Sequence, residues 1–427
     1  MKQAVKVLII LLVLGSIIVV SFVAGMVFYA GYQGATQGAL SSTAIFPFLP
    51  ASADAARSRE IAEEDVPAEF ATFWEAWSYL NDQFYGDLPP DDERVYGAVR
   101  GMVSSFNDPH TAFIDPVRAA VFSENMQGSF SGIGATVRID EAGRLIIVDP
   151  MPDQPAFLAG LRPNDMVLEV DGQFVEGLSL YEAVLLIRGP TDSTVILTII
   201  REGNPEPFEV SIVRAKIELE VVISEMLETE DGTNTIGYVR LTQFSKGASE
   251  KLAEAFDALS EQGATELVFD LRSNPGGLLS EAVDVSSLFM DEGTVVIERL
   301  KEGKDKVFEA KRGLTVAEET PLVILVNGGS ASASEIVAGA MQDSGRATIV
   351  GEQTFGKGSV QLPHRLSDGS ELRVTIAEWL TPASRQIHGE GIAPDIAVEM
   401  TFDDLEQGLD PQLDEAVEFL SQASAGR

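Results

Sequence analysis

A chain of 427 residues that is 45% hydrophobic can bury more than one core, so two or three domains are expected. Its 66 acidic against 30 basic residues give a formal charge of −36, a surface that repels nucleic acid and anionic lipid headgroups. The absence of cysteine excludes disulfides and thiol catalysis. With no His-Glu-x-x-His spacing and no Gly-x-x-x-x-Gly-Lys-Ser/Thr run, neither a metal nor a cofactor is expected.

Lys2 and Lys6 precede an uncharged apolar run over residues 7–30. That is about the length a spanning helix needs, and longer than the apolar region of a secretory signal. With lysines only on its N-terminal flank, the positive-inside rule puts Met1 in the cytoplasm and the body outside. Ala51-Ser52-Ala53 resembles a cleavage site but lies well past the apolar run, so an uncleaved anchor over residues 1–30 is favoured over a cleaved signal. The expected place is the cytoplasmic membrane, single-pass, with an extracytoplasmic body. Residues 31–66, rich in Gly, Ala, Ser and Pro, read as a flexible linker.

Residues 67–127 read as helical. Phe70, Phe73, Trp74, Trp77 and Leu80 share one face, and Val95, Ala98, Val99 and Met102 form a second stripe, read as core or a subunit contact. Asn107-Asp108-Pro109-His110-Thr111 follows as a turn, with His110 read as structural.

Residues 128–217 form a β-rich unit with the succession of a PDZ domain. Gly132, Ile133 and Gly134 resemble its carboxylate-binding loop, in which bare backbone N–H groups cradle a terminal carboxylate. Gln154-Pro155-Ala156, Asp165 to Gly172, a helix over Leu180–Ile187 and a strand from Val195 follow in order. Met151, Leu185 and Leu186 are candidates for the pocket that takes the last apolar side chain. Arg188, at the end of that helix, reads either as a solvated helix terminus or as a link that couples peptide binding to the rest of the chain.

Residues 218–400 have strand-helix-strand order, as in a parallel α/β unit. A strand over 236–241 precedes a helix with Leu252, Ala255, Phe256 and Leu259 on one face, capped near Ser249. A strand over 267–271 then ends in Asn274-Pro275-Gly276-Gly277, where bare backbone meets the carboxyl end of a strand, the usual ligand side of such sheets. Residues 322–326 read as a strand buried on both faces, and Ile336, Val337, Ala340 and Met341 mark a helix reaching about Asp343. Only small residues, from Ser330 to Ser334, fill the corner between them, leaving free helix-start amides for a developing negative charge. Lys357 sits between Gly356 and Gly358 after another apolar run. A serine hydroxyl needs a base, and a lysine kept neutral by burial can serve. A final amphipathic helix starts near Pro411 in a segment covering 401–427.

Ser330-Ala331-Ser332-Ala333-Ser334-Glu335, Thr354-Phe355-Gly356-Lys357-Gly358 and Gln361 together resemble the carboxyl-terminal processing proteases, tail-specific serine peptidases of family S41A with a PDZ domain. The resemblance covers most of the chain after residue 67. It implies a mixed α/β multidomain fold with a crotonase/ClpP-like protease core, an inserted PDZ domain and an N-terminal helical region that supports a homodimer. It implies Ser332 as nucleophile, since the family's serine-to-lysine spacing excludes Ser330 and Ser334, with Lys357 as its base and Gln361 orienting the lysine. Oxyanion donors would be the N–H of Ala333 and of Gly276 or Gly277, and Asp343 matches an acidic position that some members need. Expected partners are proteins with apolar C-termini and, in some members, an activating adaptor. Two other classes compete: a catalytically silent PDZ adaptor on a protease-like scaffold, and an acyl-CoA enzyme of the crotonase class, which gives no reason for a PDZ insert.

Overall fold

The computed structural model describes residues 66–425 apart from 141, 228–234 and 314. The expected anchor and nearly all of the linker therefore lie outside the described residues. Among those described, no helix is long and apolar enough to cross a membrane.

The centre of the molecule is a six-stranded sheet in the order Val222–Met226, Ile236–Leu241, Glu266–Asp270, Leu322–Val326, Thr348–Gly351, Ile396–Ala397. All neighbours are parallel except the first pair. Glu266–Asp270 and Leu322–Val326 are buried along their whole length, as uniform apolar runs dictate when both faces of a sheet are covered. One face packs on the helices Ala248–Glu261, Leu279–Ser287 and Ala333–Asp343, with Phe256, Phe269 and Phe289 at its heart. The other is closed by Pro411–Ala425 through the fully buried Ala416 and Leu420. Arg272, just beyond the strand end, bonds both Asp270 and Asp410 at 2.7–3.1 Å and so ties the start of that last helix to the Asn-Pro-Gly-Gly turn.

A second, antiparallel sheet lies on the far side of those three helices. Its order is Ala112–Ile114, Glu371–Leu380, Thr294–Leu300, Asp305–Glu309, with Ser359–Arg365 also paired to Glu371–Leu380. The N-terminal region thus contributes a strand to the protease core, which periodicity did not indicate.

The PDZ unit is built on the strands Ala135–Ile139, Leu145–Pro150, Met166–Val170, Thr194–Arg201 and Asn204–Val213, with the helix Leu180–Ile187 against them. At Gly134 (φ +70°) the chain turns, and Ser129–Gly132 leaves the PDZ sheet to pair with Ala215–Glu218 as a two-stranded ribbon toward the protease. Lys246 N–H donates to Met126 O at 3.0 Å and fastens that ribbon's root to the core.

One expectation is corrected. The helix Phe70–Gln83 forms as its periodicity requires, yet buries no residue, and Trp74 is 61% exposed. Its rings pack on one another, with Phe73 and Trp74 centroids 5.0 Å apart, so the stripe is not core of this chain. The helix Ala248–Glu261 starts close to Ser249 as expected, but its first N–H groups are met by Glu281 of a neighbouring helix, which accepts from Gly247 N, Ser249 N and Ser249 Oγ at 2.8–2.9 Å.

Phe269 is fully buried between Phe256 and Phe289. Phe269→Ala should cost about 3–5 kcal/mol, read as a lowered midpoint in a urea unfolding titration with an unchanged slope.

Candidate active site

The corner after Leu322–Val326 is tied down residue by residue. Ser330 Oγ donates to Leu271 O (2.8 Å) and accepts from Asn327 N (3.0 Å), while Ala331 N and Ser334 Oγ both donate to Asn274 O at 3.0 and 2.9 Å. Asn274 is fully buried, and its side chain bridges Leu241 O to the Gly276 N–H. Ser332 is left buried at the helix start with φ +56° and ψ −110°, a strained conformation of the kind found at sharp strand-to-helix turns that carry a nucleophile. Gly276 (φ +103°) runs directly beneath it, where an added Cβ would sit 2.9 Å from Ala333 N.

Lys357 arrives from the opposite side. It is 4% exposed, and Gly358 lets its turn pass against His388, because a Cβ there would lie 2.1 Å from His388 N. Burial, reinforced by the nearby Arg373 guanidinium and opposed by Glu335, pushes the Lys357 amine down to about 7. His110, half-buried beside the same amine, is pushed down to about 4, by burial first and then by Lys357.

Glu335 joins the two segments. Its carboxylate accepts from Ser332 N (2.8 Å), Thr354 Oγ1 (2.7 Å), Gly356 N (2.6 Å) and Lys357 N (2.8 Å). Burial pushes this carboxyl up, against the four donors, which favour the ionised form. Among the described residues no hydrogen bond joins Ser332 Oγ to Lys357 Nζ directly, nor Lys357 Nζ to Gln361. Gln361 is fully buried, donating from Nε2 to Ser359 Oγ (2.7 Å) and Thr375 Oγ1 (3.4 Å), and its Oε1 is without a partner.

The remaining sequence-derived residues are spread more widely. Asp343 stands at the opposite end of the helix that begins after Ser332, ~16 Å away at the usual rise per residue. It accepts from Ala383 N and Arg385 Nε there, so it braces the turn before His388 and does not reach the serine. Arg188 is not a solvated terminus: it lies 4.3 Å over the Phe130 ring and donates to Asn125 Oδ1 at 3.3 Å, between the PDZ helix and the ribbon. Gly132 pairs with Ala215 in that ribbon, while Ile133 O and Gly134 O accept from Ala156 N and Met151 N inside the PDZ unit. Met151, Leu185 and Leu186 are half-buried. A cleft of about 590 Å³ opens between ribbon and core, lined by Phe130, Ser131, Lys216, Lys246 and Glu250 among others.

Sequence reasoning did not assign Glu335, Asn274, Arg373 or Thr375. A signal existed for Glu335, since Ser332 and Glu335 have capping-box spacing. Arg373 and Thr375 sit on a strand whose partners are set by tertiary pairing.

Comparison with known proteins follows the same lines. Residues 235–398 match the family model of peptidase family S41, and residues 146–201 that of the PDZ domain. The chain is 38% identical over 334 residues to carboxy-terminal processing protease CtpA of Bacillus subtilis, covering 78% of this chain and 70% of that one. It is 38% identical over 349 residues to a carboxyl-terminal-processing protease of Synechocystis sp., covering 81% of each. A solved structure titled photosystem II D1 C-terminal processing protease aligns at 33% identity over 78% of this chain and 94% of that one, with TM-score 0.47. The chain therefore belongs to the carboxy-terminal processing proteases of family S41, serine peptidases, here with a PDZ domain.

In Glu335→Gln one acceptor oxygen becomes an NH2 turned toward N–H or hydroxyl donors. We expect a loss of stability of about 2–4 kcal/mol, read by urea titration, together with a fall in kcat that outlasts any correction for unfolded protein.

Proposed function

We propose that Ser332 is the nucleophile and Lys357 its general base and acid, and that the protease cuts extracytoplasmic proteins whose apolar C-terminal tails dock on the Gly132–Ile133–Gly134 loop. The observation that carries this reading is the Glu335 carboxylate, which holds the strained Ser332 corner against a lysine whose buried amine titrates near 7. The neutral amine takes the Ser332 hydroxyl proton as Oγ bonds to the scissile carbonyl carbon. The tetrahedral oxyanion lies between the helix-start N–H of Ala333 and that of the glycine turn. Gly277 is the better donor of the two glycines. Gly276 N–H is spent on Asn274, whereas the pairing of Phe244 with Gly277 turns the Gly277 N–H away from Phe244. Collapse breaks the C–N bond, the lysine ammonium protonates the leaving amine, and water then releases the acyl group by the same proton route. Gln361 orients the lysine through its free oxygen.

Arg188, between the PDZ helix and the ribbon, is the residue that would sense an occupied PDZ groove. The chain is organised as an anchor (1–30), linker (31–66), helical region (67–127), PDZ domain (128–217), protease core (218–400) and C-terminal segment (401–427). The exposed aromatic face of Phe70–Gln83 suits a homodimer contact, and an activating adaptor is a further partner of this reading.

An unfolded reporter ending in apolar residues, beside the same reporter ending in Asp-Asp, tests the reading on the full chain. Wild type should cut the apolar-tailed reporter faster, and Ser332→Ala and Lys357→Ala should cut neither. Because the base must be neutral, kcat/KM should fall as pH drops through about 7. Equal cleavage of both tails, or activity in either variant, would defeat it.

A further inference from the structure

The unpartnered Gln361 oxygen raises a question that the catalytic residues alone do not answer: what fixes the direction of that amide. An amide can present either oxygen or NH2 to a lysine amine, and only the oxygen accepts a proton from it. The answer lies outside the family model's span, in the Asp108-Pro109-His110-Thr111 turn.

Thr111 Oγ1 donates to Asp108 Oδ2 at 2.6 Å, and His110 N–H donates to Asp108 Oδ1 at 3.0 Å. Thr375 reaches the same group: its N–H donates to Thr111 Oγ1 at 3.1 Å and the two hydroxyl oxygens are 3.4 Å apart. Thr375 stands directly opposite Gln361 across the antiparallel pair Ser359–Arg365 and Glu371–Leu380, and its Oγ1 receives Gln361 Nε2. Burial raises the Asp108 carboxyl, but hydrogen bonds from Thr111, Thr375 and the His110 N–H outweigh it and hold it ionised.

An ionised carboxylate only accepts. It takes the Thr111 hydroxyl proton, so the Thr111 oxygen accepts from the Thr375 N–H and hydroxyl, and the Thr375 oxygen is left as an acceptor on its other side. The end of the Gln361 amide that meets Thr375 must then be NH2. Its oxygen is turned away, buried and unpaired, and the lysine amine is the donor that the catalytic reading brings to it.

We propose that Asp108 and Thr111 are positioning residues of the active site: through Thr375 they set the Gln361 amide so that its oxygen is presented to Lys357. This deepens the Ser332–Lys357 reading and rests on it. It also gives the N-terminal region a share in catalysis besides any role between subunits. Of the groups that face the Lys357 amine, Arg373 and Glu335 are untouched by the substitutions below, whereas Asp108→Asn also removes a charge that acts on His110, so Thr111→Val carries the pH comparison.

The test is steady-state cleavage of the apolar-tailed reporter by the full chain carrying Thr111→Val, Thr111→Ser, Asp108→Asn, Gln361→Ala and Thr111→Val/Gln361→Ala. Thr111→Val should lower kcat about tenfold or more with KM within about twofold. Thr111→Ser, which keeps the hydroxyl, should recover most of that loss, and Asp108→Asn should resemble Thr111→Val. On a Gln361→Ala background Thr111→Val should cost nothing further, because both changes remove one interaction. The acid limb of the pH profile should move to lower pH in Thr111→Val, since an ammonium loses its acceptor. An unchanged kcat in Thr111→Val and Asp108→Asn, or losses that multiply in the double variant, would overturn the proposal. Activity in Ser332→Ala or Lys357→Ala, run alongside, would instead overturn the catalytic reading beneath it.

Discussion

Ser332, Thr354, Gly356 and Lys357 all donate to one carboxylate, that of Glu335, and a buried anion can keep four donors only if the chain segments that carry them stay together. The two segments follow different strands of the parallel sheet, and beside the Glu335 carboxylate the Phe355 N–H donates to Ser330 O at 3.0 Å between them. The rest of the site is shaped by that requirement. The corner must be free of large side chains, the lysine turn must be flanked by glycines, and Gly391 must be glycine where a Cβ would lie 2.6 Å from Thr354 O. Removing the carboxylate would leave buried donors unmet, each worth about 1–3 kcal/mol.

The lysine is held in an environment that opposes its charge. Burial acts first, the Arg373 guanidinium adds to it, and Glu335 offsets part of both. Arg373 is itself buried, stacked 3.8 Å over the Phe122 ring and paired with Glu371, so its charge is fixed in place. Phe122 belongs to the helix Pro116–Met126 that leads into the PDZ ribbon, and Arg188 contacts Asn125 of that same helix. The helix therefore touches both the cation that tunes the lysine and the arginine at the foot of the PDZ helix.

The inner strands of the central sheet could be read from the chain because they are apolar runs, and the corner from 330 to 334 because its residues are uniformly small, whereas the edge strands Val222–Met226, with exposed Ser224 and Glu225, and the two-residue Ile396–Ala397 carry no such signal. Ser332 and Glu335 at capping-box spacing were equally visible, but the donors from residues 354–357 that make Glu335 matter are tertiary. The second sheet escaped because Ala112–Ile114 is only three residues long and Glu371–Leu380 is half-covered, so neither carries a clean period. Helical periodicity found Phe70–Gln83 but said nothing of what covers its aromatic face, and none of the described residues buries it. Asp343 matched a family position, and the helix that begins after Ser332 puts it a full helix length from the serine.

Labelling with a serine-reactive fluorophosphonate across a pH series, with the modified residue located by mass spectrometry, tests the central claim most directly. A single adduct on Ser332, forming faster as pH rises through about 7, is the result this account predicts. An adduct on another residue, or a rate that stays level between about pH 6 and 8, would contradict it, because a base of that pKa must lose its proton across this range.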